Sequence, residues 1–277
     1  MSTHSWRTVY VLAFVVVFAG MSVTAGQMRY WSGQNVVPVF EGWERNPDGS
    51  FDMVLGYYNR NVEEALDIPI GPNNNIEPGG PDQGQPTFFE PNRHKYVFRV
   101  KVPSDWGATK RLVWTLTSHG RTETANAFLL PEWESNNQVM AQNSDGGGAG
   151  GSSGYTNPPT ITMNPAQVVA LPGSATLTAS VTGSAPPRPS SERQRAARPG
   201  AQRGPQLRVD WLEYRGPAGG RITFTPRTSP VIDGKALTTA SFSAPGQYVV
   251  RGFANNGSLT TPADVTLTVN PASAIAR

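Results

Sequence analysis

Apolar and polar residues alternate with period two along several short stretches of this chain. In SFDMVLGYYNRN, Phe51, Met53, Leu55 and Tyr57 fall on one face of an extended segment, with Asp52, Val54, Gly56 and Tyr58 on the other. One apolar face at this spacing predicts a half-buried strand. KYVFRVKVP repeats the pattern, setting Tyr96, Phe98, Val100 and Val102 opposite Arg99 and Lys101, and KRLVWTLTSHG does so with Leu112, Trp114 and Leu116. Between VVPVFEGWER and the first of these lies NPDG, where Pro47 presets φ and Gly49 supplies a positive φ, which predicts a hairpin turn. Helical spacing is confined to a single turn, Val62 to Leu66, which Pro69 and Pro72 prevent from continuing. Strands with one apolar face need a second sheet to cover it, so this part predicts a β-sandwich of about seven or eight strands.

The second half has the same grammar. PPTITMNPAQVVALPGSATLTASVTG reads as short strands around a Pro172-Gly173 turn, followed by LRVDWLEYRGP, ITFTP and ALTTASFSAPGQYVVRGFANNGSLTTPADVTLTVN. Its last strand sets Val265, Leu267 and Val269 against Thr266 and Thr268. Trp211 is placed to pack between sheets, and Tyr248 stands where a tyrosine corner is expected.

Composition sharpens this picture. The 277 residues leave room for about two ordinary domains. With 29 Gly and 25 Pro, and only 16% charged residues, long helices are disfavoured and an all-β chain with many loops is expected. No cysteine is present, which excludes disulfides, thiolate metal sites and a cysteine nucleophile. The net charge of +3 is unevenly spread: Gly26 to Asp145 holds 10 Lys and Arg against 15 Asp and Glu, whereas Gly146 to Arg277 holds 12 against 5. Halves of opposite sign suggest two units.

The first 25 residues carry one cation, Arg7, then an apolar run of 12 residues from Val9 to Gly20, shorter than the ~20 a spanning helix needs. Val23 and Ala25 suit a cut between Ala25 and Gly26, so a secretory signal peptide is expected, with an uncleaved N-terminal anchor as the alternative. Either places the chain outside the cytoplasm, in the periplasm or the extracellular space. Residues 26–142 then form the first sandwich. Residues 143–158 form a Gly/Ser-rich linker, expected to let the domains reorient. Residues 159–271 form the second sandwich and 272–277 a tail. The expected fold class is therefore all-β: two immunoglobulin-like β-sandwich domains joined by a flexible linker and preceded by a signal-peptide helix. Gly150 to Gly154 fits G-x-S-x-G, but neither the strand nor the helix of a nucleophile elbow flanks it.

Candidate chemistry is sparse. GPNNNIEPGGPDQGQP, Gly71 to Pro86, is a long stretch rich in turn formers. Asn73, Asn75, Glu77 and Asp82 could supply oxygen ligands to Ca²⁺, although no EF-hand spacing is present. The same residues suit a compact Ω-loop fixed by its prolines. Trp31, Trp43 and Trp106, near strand ends, are candidate glycan contacts. A basic insertion at 183–206 offers Arg188, Arg193, Arg195, Arg198 and Arg203 to an anionic polymer. His94 and His119 lack metal-ligand spacing, and Ser118 beside His119 makes no triad by adjacency. Glu132 and Glu134 flank Trp133; in a strand both acids would face solvent while Trp133 packs inward. No cofactor is expected, and catalysis least of all.

Two resemblances follow from these phrases. VFEGW, GYYNRN, DIPIGPNN, PGGPDQGQPT and LVWTLTSHG together resemble a group of secreted bacterial proteins of unassigned function. PPTITMNPAQVVALPGSATLTASV, VDWLEYRGP and SAPGQYVVRGFANNGSLTTPADVTLTVN, in that order, resemble PKD-type immunoglobulin-like modules of bacterial secreted proteins, with the basic insertion as a departure. That second resemblance implies a spacer or a module contacting protein or polysaccharide of the cell envelope. The expected function is thus a non-catalytic structural or adhesive protein. Its alternatives are a carbohydrate-binding protein using the N-terminal aromatics and an enzyme with a site near residues 71–86.

Overall fold

In the first body, eight strands run in chain order: β1 (Val36–Arg45), β2 (Phe51–Asn59), β3 (Leu66–Asp67), β4 (Asn74–Glu77), β5 (Phe88–Phe89), β6 (Asn92–Val102), β7 (Leu112–Ser118) and β8 (Arg121–Ala127). A 3-10 turn, Pro131–Trp133, and a short helix α1 (Asn137–Asn143) follow. The computed structural model describes residues 30–143, 157–184 and 207–272. The leader with its Ala25–Gly26 cut, nearly all of the linker with its G-x-S-x-G match, the arginines of the basic insertion and nearly all of the tail lie outside the described residues.

Sheets β1-β2-β6 and β4-β7-β8 and the pair β3-β5 contribute to one common core. The NPDG hairpin forms: Gly49 N–H donates to Asn46 O at 3.0 Å, Asn46 N–H to Ser50 O at 2.9 Å, and Gly49 has φ of 84°. Met53, Leu55 and Tyr57 enter the core with Ile76, Leu112, Trp114 and Leu116. Trp114 meets Phe98 edge-on at 4.9 Å.

The alternation breaks at two places, each with a cause. A bulge in the β2–β6 pairing opens between Leu55 and Tyr57, and Tyr96 takes a φ of 54° there. Val97 and Phe98, adjacent in sequence, both enter the core, and Tyr96 turns to the opposite side. Val54, on the face expected to be open, is covered by Met140 of α1 and by Leu259. Helix α1 is started by Asn136, whose Oδ1 accepts the amides of Gln138 and Val139 at 2.9 and 3.0 Å. The turn expected at Val62–Leu66 is not helical, because the amides of Glu63 and Glu64 are drawn instead to Trp31 O, at 3.1 and 3.3 Å.

The second body has nine strands: β9 (Thr160–Met163), β10 (Gln167–Ala170), β11 (Ser174–Thr182), β12 (Arg208–Arg215), β13 (Ile222–Thr225), β14 (Thr228–Pro230), β15 (Lys235–Phe242), β16 (Gly246–Asn255) and β17 (Thr260–Asn270). They form sheets β10-β17-β16-β12-β14 and β13-β15-β11-β9. β10 runs parallel to the last strand β17, and the other pairs of this body are antiparallel. This is an immunoglobulin-like sandwich. Trp211 fills the space between its sheets and donates Nε1–H to Ser229 Oγ at 2.9 Å, which in turn donates to Leu237 O on the facing sheet at 2.6 Å. The Tyr248 hydroxyl donates to Ala244 O at 2.8 Å, closing the expected tyrosine corner.

Both sandwiches belong to one compact unit that runs from Trp31 onward. The expectation that the linker leaves them free to reorient is corrected by their packing: Leu212 and Tyr214 of β12 are buried in the first body's core, with Val249 and Phe253 of β16 against it.

Candidate functional site at the junction of the two sandwiches

The junction is built on strand β12. Val209, Trp211 and Glu213 point into the second sandwich, and Leu212 and Tyr214 point into the first. An apolar residue on each face of one strand means that both faces are covered. Around this seam the second body sets arginines against acids and carbonyls of the first. Arg215 binds Asp82 through two nitrogens, at 2.8 and 3.1 Å, and also donates to Gln85 O from Nε at 2.9 Å and from Nη2 at 2.7 Å. That hydrogen bonding holds the Asp82 carboxyl below its usual range. Arg221 pairs with Asp67 at 2.8 Å and lies 4.7 Å over the Phe88 ring. Arg227 pairs with Glu90, whose carboxyl burial pushes up while the guanidinium pulls it down. Arg251 donates to Val97 O at 2.6 Å, chelates Asp264 and caps the Tyr214 ring at 3.6 Å.

The stretch Gly71–Pro86 is the first body's main contribution. It is not one loop without regular structure: Asn74–Glu77 form β4, paired with β7, because Asn74 and Ile76 both have buried partners there. Asn74 Nδ2 donates to Ile68 O and Pro86 O, each at 2.8 Å, and its Oδ1 accepts the Trp114 indole N–H at 3.0 Å. Beyond β4 the chain folds over Gln83, whose amide donates to Ile76 O, Pro78 O and Gly80 O at 2.9–3.0 Å. Gln85, fully buried, accepts the Gln83 backbone N–H at Oε1 at 2.8 Å and donates from Nε2 to Pro81 O at 2.5 Å. The segment so shaped offers Gly84 O to the Tyr214 hydroxyl, Gln85 O to Arg215 and Thr87 N–H to Tyr214 O. It is a clamp between the sandwiches.

The sequence candidates fall variously around it. Of the proposed Ca²⁺ ligands, Asn73 and Glu77 are exposed and Asn75 is half-buried on the face of β4 opposite Asn74, while Asp82 is engaged by Arg215. Among the described residues no group of three or more His, Cys, Asp or Glu side chains is arranged to hold a metal ion. Trp43 is 4% exposed, donating Nε1–H to Leu130 O, and Trp106 is 8% exposed, so neither presents a ring face to solvent; Trp31 is 65% exposed. His94 is stacked on Tyr57 at 4.7 Å with Nε2 3.0 Å from Pro91 O, and burial lowers its pKa. His119 Nε2 lies 3.3 Å from Glu64, while Ser118 Oγ accepts the Val36 amide, so the two adjacent residues serve different partners. Glu132 and Trp133 lie in a 3-10 turn that Glu134 caps, and Trp133 is 45% exposed rather than packed inward. Pro131 at the start of the turn and the Leu130 O···H–N Trp133 bond set this geometry.

The residues that make the junction, Asn74, Gln83, Gln85, Tyr214 and Arg215, were not singled out from the sequence. One signal for them was available: VDWLEYR sets apolar residues on both faces, as does the QYVVRGF strand.

No family model matches the chain, and no curated protein matches it. Among solved structures, the PKD domain (329–428) from human KIAA0319 is 20% identical, covering 47% of this chain and 99% of that one, with a TM-score of 0.28. The fibronectin(III)-like modules of CbhA from Clostridium thermocellum are 10% identical, with 88% and 98% covered and a TM-score of 0.23. The Sidekick-1 immunoglobulin domains 1–4 are 12% identical, with 86% and 51% covered and a TM-score of 0.22. The architecture stands on its own strand order and register.

Proposed function

We propose that this chain is a non-catalytic structural or adhesive module that works outside the cytoplasm, in the periplasm or extracellular space, with two sandwiches held at a fixed angle. The observation that carries the reading is the shared core at the junction, where Leu212 and Tyr214 are buried among residues of the first body. A seam of this kind sets the orientation of two surfaces, which suits a spacer or a presenting scaffold. The first body's carboxylates along the seam, Asp67, Asp82 and Glu90, are paired with arginines of the other body. They are thus used in docking rather than gathered around a hollow. The export signal expected in the first 25 residues supports the location, and protein or polysaccharide of the envelope is the expected partner class. Among the described residues no helix is long and apolar enough to cross a membrane. Fractionation of native cells with the full chain tests this: recovery in the periplasm, the medium or envelope material is expected, and recovery in the cytosol would contradict it.

A further inference from the structure

We propose that Trp133 is a platform for a pyranose ring of a neutral polysaccharide. The indole is stacked on Phe40 at 5.3 Å and 26°, and Phe128 meets it edge-on at 5.7 Å and 81°. Phe40 and Phe128 are themselves in contact at 5.1 Å. The ring is therefore fixed from behind by the sandwich core, and with 45% of the residue exposed its outward face stays open to solvent. Its backbone is fixed as well. Trp133 N–H donates to Leu130 O at 3.0 Å, and the following Ser135 N–H donates to Trp43 O at 2.7 Å, tying the turn to β1. A platform held this way loses little conformational freedom when something binds to it.

The surroundings choose the occupant. Trp133 and Leu130 are the exposed large apolar side chains of this turn. Exposed Glu132 and Glu134 precede and follow Trp133 in the chain, Arg45 lies 3.6 Å from Glu134, and Arg111 is held 4.8 Å over the Phe128 ring that meets the indole. A stable protein interface needs about 800 Å² per partner around an apolar centre, far more than one indole face. A pyranose ring is close to an indole in size, carries C–H groups on its faces and hydroxyls on its rim, and so matches an exposed indole in a turn that also carries two exposed carboxylates. An acidic polymer is disfavoured here, because the first body has 10 cationic against 15 anionic residues between Gly26 and Asp145.

The inference rests on the reading of the chain as an adhesive module but fails separately from it, since cytosolic recovery would overturn the module and glycan binding tests the platform. The test is native electrophoresis of the full chain through gels holding β-glucan, xylan or mannan, with a polyuronate gel for comparison. Retardation by at least one neutral polymer is expected, weakened tenfold or more in Trp133→Ala and unchanged in Trp31→Ala. No retardation by any neutral polymer, retardation by the polyuronate alone, or retardation equal in Trp133→Ala and wild type would overturn it. Trp133→Ala also uncovers Phe40, so a second readout uses the wild-type chain. Oxidation by N-bromosuccinimide, followed by peptide mass spectrometry, should be slowed at Trp133 and not at Trp31 by the retarding glycan; equal oxidation of Trp133 with and without it would also overturn the proposal.

Discussion

The two sandwiches meet at one seam but bring different materials to it. The second presents strands: β12 and β16 supply Leu212, Tyr214, Arg215 and Arg251 from a paired ladder, with a bulge between Glu213 and Arg215. The first presents mainly irregular chain, with Asp82, Gly84, Gln85 and Thr87 lying in a turn-rich segment whose shape is set by the side-chain amides of Asn74, Gln83 and Gln85. A rigid face reads a loop, and the loop can be read because buried amides satisfy the carbonyls that a sheet would otherwise pair. The difference teaches that Gly71–Pro86 is a docking element whose order comes from polar side chains, whereas its partner surface is ordered by backbone pairing.

Breaking the strand side should cost most. Tyr214→Ala removes a buried aromatic shared by the two bodies and is expected to lower unfolding stability by about 3–5 kcal/mol, read by urea denaturation. Next is the loop side. Asn74→Ala leaves Ile68 O, Pro86 O and the Trp114 indole N–H without their buried partner, with an expected cost of about 2–4 kcal/mol by the same measurement. A clear loss is also expected in Asn74→Asp, which keeps an acceptor for the indole but replaces the Nδ2 donor to two carbonyls by an oxygen.

A smaller effect should depend on pH. Glu213, 2% exposed, accepts the Ile222 amide at 2.9 Å through Oε2, while Oε1 has no hydrogen-bond partner. Burial pushes its carboxyl up to about 7; Arg221 lowers it, and Asp67 and Glu90 raise it. The folded state thus holds the proton more tightly than the unfolded chain. Stability is full below the usual carboxyl value of 4.5 and falls as pH rises through about 7. The expected loss is on the order of 2–3 kcal/mol, seen as a melting temperature that drops between acid and neutral pH. Glu213→Gln should flatten that part of the profile.

The sandwich cores were legible in the sequence because each half-buried strand writes its own alternation. Met53, Leu55 and Tyr57, or Val265, Leu267 and Val269, could be assigned to an interior without knowing their neighbours. The junction was not legible in this way. Tyr214 meets Gly84 at a separation of 130 residues, and Arg221 meets Asp67 across 154. Opposite charge in the two halves was visible, but it suggested separate units and gave no pairing. The Tyr96 bulge escaped because a left-handed φ at a tyrosine leaves no trace in the residue type. The burial of Trp43 and Trp106 escaped because residues near strand ends have too little alternation around them to assign a face.

The Arg215–Asp82 pair should contribute less, about 1 kcal/mol, since Asp82 is half exposed and solvent screens the pair; a double-mutant cycle of Arg215→Ala with Asp82→Ala would isolate that coupling from the bonds to Gln85 O. The smallest effect concerns Asn73, Asn75, Glu77 and Asp82. With Asp82 bound to Arg215, millimolar Ca²⁺ or EDTA should leave the melting temperature unchanged.

Absence of native cysteine permits a direct measurement of the fixed seam. Spin labels at Thr124→Cys on the exposed side of β8 and Leu237→Cys on the exposed side of β15 place one probe on each sandwich. Pulsed electron resonance should give one narrow distance distribution that broadens in Tyr214→Ala. A broad distribution in the otherwise unaltered chain would contradict the account.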